Sequence, residues 1–529
     1  SKDEFALLKS IEDKEKEAKE AAKKKEDEKS KDKKKKTDEP KKDSTLKFDW
    51  ENLNERFTKF TINSSSIADA TLSKDGETLY YLASFEKGYN LWSIKLRTKE
   101  AKMEMDLDIR SGSFEWDKDM KNLFLLADGK IYKVEVDKGK REAVKINSEI
   151  RIDKYAERKA MFDHVALRTE KGFYTKQYHG INWKELTQHY EKYLPYIDNG
   201  FEFAEMLSEM LGELNGSHSG ARYSYRTSDG DQTASLGVFA DYSYTGDGIK
   251  ISEILLGGPL DKAKIDIKPG MVIQKIDGET IAANSDYAQY LNRKVGRFTL
   301  IDVFDPATNS SKQYTVKPIS AYEESDLLYK RWVKKNQAEV EKLSNGQLGY
   351  VHVEGMGDGP YRDTYSEMMG KYHNRKGIIV DTRFNGGGDL VSDLAMFFTG
   401  KKYIEYQTDT RVLGSEPTFR WTKPTVALVG EANYSDASCF ACGYQQLGIG
   451  KMIGMPVPGT CSFAGWEQLQ DGETRWGMVP VSSKEMNGQW MENLEAVPDY
   501  VIKNEPSVIA TGRDQQLEKA VEVLLEQVK

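Results

Sequence analysis

Two apolar runs, each released into a polar turn and then a helix-like stretch, constrain the second half of this chain most. "KGIIVDTRFNGGGDL" (Lys376 to Leu390) carries consecutive apolar, β-branched residues into a turn with three glycines. "TVALVGEANYSDASCFACGYQQLG" (Thr425 to Gly448) follows the same plan with a polar connection. Short apolar runs bounded by turn signals read as buried strands. "DLVSDLAMFFTG" and "SCFACGYQQLG" have helical spacing, the second with Phe440, Gly443 and Leu447 near one stripe and Gly448 as a stop. Adding the strand-like "LGYVHVEGM" and the amphipathic "GRDQQLEKAVEVLLEQV", residues 321–529 read as an α/β layered domain.

At 529 residues the chain is too long for one core, so about two to four domains are expected. Charge is unevenly spread. Residues 1–45 hold "KEKEAKEAAKKKEDEKSKDKKKK", a block with almost nothing to bury, expected to be a linker, a solvated helix or disorder. Acidic residues interleave with its lysines, and the net charge of -8 gives no general basic field. Nucleic acid is therefore not an expected partner. No apolar run approaches a membrane span. The chain does not start with methionine, shows no signal-peptide pattern and begins abruptly on charge, which reads as part of a longer protein.

A weak repeat occupies residues 46–150. "SKDGETLYYLA" (from Ser73) returns 44 residues later as "DKDMKNLFLLA" (from Asp117), and "NLWSIKLRTKE" returns as "GKIYKVEVDKG". A polar turn, an apolar strand and an alternating strand, recurring every forty-odd residues, fit the last blades of a β-propeller or a plain meander. Residues 151–232 then show three stretches of helical spacing and a polar turn, "ELNGSHSGARY", containing Ser217 and His218. From 233 to 320 the pattern is β-rich with a helix expected in "NSDYAQYLNRKVG". Its "GGPLDKAKIDIKPGM" resembles a PDZ domain, with Met271 where an aspartate is usual. That resemblance implies a loop, Leu236, Gly237, Val238 and Phe239, receiving a peptide carboxylate while the peptide extends the sheet edge.

The three glycines after "GIIVDTRFN" let bare backbone approach a ligand. No "GKS" or "GKT" follows, which argues against a phosphate loop and leaves oxyanion donors or a tight structural turn. The polar turn "NYSDA" at a strand end is a frequent place for a nucleophile and also an ordinary connection. Cys439, Cys442 and Cys461 are too few for a disulfide framework, and "CFAC" lacks a second metal pair, so the pair reads as buried thiols. His164, His179, His189, His352 and His373 lack metal spacing.

In order, Ser-His, a PDZ-like segment, "NGGG", "NYSDA…QQLGIGKMIGMPVPGT" and "ENLEAVPDYVI" resemble the tricorn-type serine peptidases, relatives of the C-terminal-processing peptidases. The resemblance covers about residues 45–529. It implies a multi-domain α+β chain: partial propeller, helical segment, PDZ domain and an α/β catalytic domain. It further implies a serine endopeptidase with Ser435 as nucleophile, His218 as base, Ser217 and Glu492 completing a tetrad, and the N–H groups of Gly388 and Asp436 as oxyanion donors. Peptide substrates, a homo-oligomer, no metal or other cofactor, and a cytoplasmic setting (periplasmic as the alternative) are the remaining expectations.

Two alternatives stay open. A Ser–Lys peptidase needs a lysine beyond the serine; "MPVPGTCSFAG" has none, and Lys451 lies on a strand-like run. A non-catalytic PDZ scaffold would leave Ser435 dispensable. Ser438 is the competing serine, and Asp409 in "EYQTDTRVLG" is a candidate for cleavage-site preference.

Overall fold

The computed structural model describes residues 11, 13–21, 50, 59–61, 64–85, 87–225 and 229–529. Of the charged first segment, residues 11 and 13–21 are helical; the rest of that expectation lies outside the described residues. The chain divides into two compact units, Ser1–Arg151 and Ile152–Lys529. Among the described residues no helix is long and apolar enough to cross a membrane.

The first unit contains two four-stranded antiparallel sheets. One is β1 (Ser66–Leu72), β2 (Thr78–Ser84), β3 (Tyr89–Lys95) and β4 (Ala101–Ile109); the other is β5 (Gly112–Trp116), β6 (Leu123–Ala127), β7 (Lys130–Glu135) and β8 (Lys140–Ala143). The repeated sequences occupy equivalent strands, β2–β3 and β6–β7. Their inward residues, Leu82 and Leu91 from one sheet and Leu123, Leu125 and Val134 from the other, share one core. Trp116 Nε1 donates to the Leu72 carbonyl (2.8 Å), and Asp69 accepts from the Phe114 N–H (2.6 Å), so β1 and β5 are neighbours. No closed propeller is formed by these sheets.

The second unit opens with three helices, α1 (Lys154–Gly172), α2 (Trp183–Glu191) and α3 (Gly200–Gly212), each started by an Asp or Asn side chain accepting first-turn N–H groups. Strand β9 (Gly220–Tyr223) follows. Next comes a sheet in the order β10 (Val238–Ala240), β11 (Ile249–Ile254), β12 (Val272–Ile276), β14 (Thr299–Asp305), β15 (Ser310–Val316), with β13 (Glu279–Thr280) paired to β12. The helix expected in 284–296 is only a 3-10 turn, Tyr287–Leu291. Asp286 caps it, and a positive φ at Arg293 ends any continuation.

A capping box at Ser320 and Glu323 starts α4 (Ala321–Leu343). Five parallel strands then build a sheet in the order β16 (Leu348–His352), β17 (Gly377–Asp381), β20 (Thr425–Val429), β21 (Lys451–Gly454), β24 (Tyr500–Val501). Its buried runs are covered on both faces, as a parallel sheet requires. Helices α5 (Asp358–Ser366), α6 (Val391–Phe398) and α7 (Asp436–Gln446) share a core with one face, and α4 and α8 (Gln515–Gln527) with the other. The hairpin of β18 (Ile404–Thr408) and β19 (Arg411–Glu416) is exposed, with Asp409 at its tip.

Strands β22 (Ser462–Gln468) and β23 (Thr474–Ser482) form a hairpin outside the parallel sheet, and β23 pairs with β9. Trp476, Met478 and Val479 thereby enter the core of α1 and α3 beside Phe162, Phe203 and Leu207. This pairing brings the Ser217–His218 turn to the carboxyl ends of the parallel strands, the usual position of a ligand crevice in such sheets.

Candidate active site

Five segments meet there: the turn before β9, the glycine loop after β17, the polar turn after β20, the segment between β21 and β22, and the segment between β23 and β24 that carries Glu492. Ser435 is the residue before α7, with φ 55° and ψ -122°, a strained backbone for a residue with a side chain. Such conformations cost about 1–3 kcal/mol and persist where surrounding contacts enforce them. The Ser435 N–H donates to Thr460 Oγ1 (2.9 Å), and the Tyr434 N–H to the Asn385 carbonyl (3.0 Å). Asn433 is fully buried; its side chain accepts from Gly430 N–H (2.9 Å) and donates to Thr382 Oγ1 (2.9 Å).

The glycine loop lies directly against this turn. A Cβ on Gly387 would sit 2.6 Å from Ser435 Cβ, and one on Gly388 only 1.9 Å from the Met356 carbonyl oxygen. The loop is pinned by Met356, whose N–H donates to Gly387 O (3.0 Å) and whose carbonyl accepts from Asp389 N–H (2.7 Å). Asp436 braces it from the other side: its buried carboxylate accepts from the N–H groups of Leu390 (2.6 Å) and Val391 (2.9 Å) at the start of α6. Among the described residues, neither Gly388 N–H nor Asp436 N–H donates to a backbone carbonyl outside regular helices and strands.

His218 also has a positive φ, 55°. Its backbone N–H donates to the Tyr434 hydroxyl (2.6 Å), and the two rings meet edge to face at 4.7 Å. Tyr434, the residue immediately before Ser435, thus ties the histidine to the polar turn. His218 Nε2 is buried without a hydrogen-bond partner. Burial holds the imidazole below its ordinary value of about 6.5, against the raising influence of the Glu492 charge and a hydrogen bond with the Ser462 backbone. Glu492 is 6% exposed. Its Oε1 accepts from Ser217 N–H (2.5 Å), and its Oε2 from the hydroxyls of Ser217 (3.0 Å) and Ser462.

Ser217, His218, Glu492, Gly388, Ser435 and Asp436 are therefore gathered in one place. Several other expected features fall elsewhere. Ser438 donates to the Pro458 carbonyl (2.8 Å) and accepts from Thr460 N–H (3.2 Å), so its hydroxyl fastens α7 to the following loop. Lys451 is paired with Asp499 (2.6 Å). The cysteines correct the expectation of buried thiols: Cys439 and Cys461 form a disulfide, because the loop after β21 folds back along α7 to a Cα–Cα separation of 4.9 Å. Cys442 alone is free and buried, and burial first, then the Glu485 charge, pushes its thiol up to about 11.

In the 233–320 segment, Leu236 is a core residue and β10 is at the end of the sheet order. Gly237, however, gives its N–H to Ser235 Oγ (2.9 Å), and the Arg331 guanidinium lies 5.1 Å from the centre of the Phe239 ring. Thr460, Ser462 and Tyr434 are site contacts that sequence reasoning missed. His164 pairs with Glu467 (2.7 Å), His179 with Tyr174 (2.5 Å) and Leu214 O (2.7 Å), and His352 with Tyr329 (2.8 Å) and Arg383 O (2.9 Å).

Comparison with known proteins bears on the same regions. Residues 154–212 match the Tricorn protease C1 domain, and residues 347–502 match Peptidase family S41. A tricorn protease homolog of Saccharolobus solfataricus is 29% identical over 367 residues, 66% of this chain and 33% of the relative. A tricorn protease of Thermoplasma volcanium is 26% identical over 507 residues, 90% of this chain and 48% of the relative. The chain spans about a third to a half of the length of these relatives. A crystal structure of the tricorn protease superposes on 85% of this chain and 45% of its own, with a TM-score of 0.73 at 21% identity, which is a likeness of fold. Both domain matches and the shared fold support a tricorn-type serine peptidase.

Proposed function

We propose that this chain hydrolyses peptides or unfolded polypeptide segments at Ser435. The observation carrying this reading is the buried, unpartnered Nε2 of His218, tied through Tyr434 to a serine in strained backbone. A serine hydroxyl attacks a peptide carbonyl only when a base takes its proton, and a neutral imidazole does so. His218 accepts that proton at Nε2 and later returns it to the leaving amine. Glu492, fixed by Ser217, offsets the charge that appears on the ring. The N–H groups of Gly388 and Asp436 stabilise the tetrahedral oxyanion. Water then releases the acyl group by the same route.

The Ser–Lys alternative is disfavoured by the pairing of Lys451 with Asp499 on a strand. In this reading residues 46–150 are the last propeller blades, 151–232 carry the base, 233–320 form a PDZ domain and 321–529 carry the nucleophile. The occupied N–H of Gly237 favours a PDZ domain that packs or orients over one that captures a carboxylate unaided. Reaction with a fluorophosphonate probe and peptide mapping test the reading: label at Ser435, lost in Ser435→Ala, is expected. Label at Ser438, or none with peptide still bound, would overturn it.

Three measurable consequences follow from the geometry. The acid limb of kcat/KM is expected below pH 6.5, because burial keeps His218 neutral under its ordinary titration point. By the same linkage the unfolded chain binds the extra proton first, so stability falls as pH drops below about 6.5. Gly388→Ala is expected to lower kcat by about a hundredfold or more with little change in KM, since the new methyl must displace the loop from the Met356 carbonyl. Steady-state kinetics at fixed pH check this.

A further inference from the structure

The segment Thr460–Cys461–Ser462 touches each part of the site with three consecutive residues. Thr460 Oγ1 accepts the Ser435 N–H (2.9 Å). Cys461 is joined by a disulfide to Cys439, on the first turn of α7 behind the serine. Ser462 makes two connections: its backbone is hydrogen-bonded to the His218 imidazole, and its hydroxyl donates to Glu492 Oε2. That hydroxyl is 2.8 Å from Ser482 Oγ. With only one hydroxyl hydrogen on Ser462, the consistent order is Ser482 O–H to Ser462 Oγ, and Ser462 O–H to the carboxylate. Ser462 is 6% exposed, so both bonds are shielded from water.

Ser217 is the expected link between carboxylate and imidazole, yet its N–H and its hydroxyl both donate to Glu492. The ring N–H instead donates to the Ser462 backbone. We propose that Ser462 is a positioning residue for His218, its backbone orienting the ring and its hydroxyl holding the Glu492 carboxylate at a fixed place behind it. The assignment rests on the peptidase reading of Ser435 and His218. A serine here does what a second carboxylate oxygen partner does in other triads: it completes the donors to a buried anion, whose charge then acts on the base without direct contact. Other ionisable groups at this place include Asp436, Tyr434, in edge contact with His218, and Tyr174, pushed up to about 12 by burial and then by the Glu492 charge.

The test is the pH dependence of kcat and kcat/KM for the full chain and for Ser462→Ala, Ser462→Gly and Ser462→Thr. Losing the hydroxyl leaves the Glu492 charge less compensated, so the imidazole protonates more readily. Ser462→Ala is expected to lower kcat about tenfold with KM nearly unchanged and to move the acid limb to higher pH. Ser462→Gly is expected to do the same and stands in if the alanine variant fails to fold. Ser462→Thr, which keeps the hydroxyl, is expected to return both quantities to within about threefold of wild type. A variant that stays folded and labels at Ser435, with kcat and acid limb unmoved, overturns the proposal alone. A wild-type chain that neither turns over peptide nor labels at Ser435 overturns the peptidase reading and this proposal with it.

Discussion

Ser435→Ala and His218→Ala are each expected to lower kcat/KM by about four orders of magnitude, and the double variant by scarcely more than either. On the proposed reading the two residues share one proton transfer, so removing one leaves nothing for the other to do. Residual turnover would come from the N–H groups of Gly388 and Asp436 and from binding. Lys451→Ala is expected to stay within about twofold of wild type, because Lys451 spends its charge on Asp499 (2.6 Å) with more than half of its side chain in solvent. Kinetics on one peptide substrate, with far-ultraviolet circular dichroism as a check on folding, decide the matter. Full activity in His218→Ala together with loss in Lys451→Ala would transfer the chemistry to a Ser–Lys pair.

Arg383→Met is expected to be the most destabilising single change near the site. Arg383 and Asp381 are both buried, and the guanidinium meets the carboxylate at 2.6 Å. It also donates to Asp514 (2.8 Å) and Gln516 (2.9 Å), which fixes the start of α8 against the end of β17. Burial by itself would raise the Asp381 carboxyl; the charge and hydrogen bonds of Arg383 outweigh that and hold it below the usual carboxylate range. Methionine keeps volume but strands a buried anion beside the Tyr350 hydroxyl (2.8 Å). The expected cost is about 3–5 kcal/mol, since removing one partner of a buried pair leaves the other charge uncompensated. Denaturant unfolding monitored by tryptophan fluorescence measures it. Asp381→Asn is expected to cost less, because the amide oxygen still accepts from Arg383.

What could be read from the residues alone follows local pattern. Buried strands with glycine or polar turns behind them were legible at β17 and β20, since burial on both faces forces an unbroken apolar run. The helices α1, α2 and α3 were legible from three- and four-residue spacing, and the paired strands β2–β3 and β6–β7 from their repetition. The fold-back after β21 was not. Thr460 and Ser462 sit in "PGTCSFAG", a stretch inspected for a lysine and otherwise unremarkable, and their roles depend on where the chain returns in space. The Cys439–Cys461 bridge depends on the same return across a separation of 22 residues. At Gly237 the sequence offered a free N–H, but Ser235, two residues earlier, turns its hydroxyl back onto it. Local side-chain-to-backbone bonds of this kind leave no periodic trace.

The pairing of β9 with β23 has a consequence for how such a chain comes to life. His218 and Tyr434 are 216 residues apart, and Ser217 and Glu492 are 275 apart, with an entire sheet domain folded in between. During synthesis from the amino end, the polypeptide through Ser435 already holds serine and histidine, yet β23 and Glu492 have not emerged. The histidine then has neither its neighbouring strand nor its counter-charge, and the two halves of the site have no scaffold to meet on. Contacts this distant in the chain close late and slowly. On the proposed reading, the site of a ribosome-bound chain therefore stays incomplete until β23 and Glu492 have emerged.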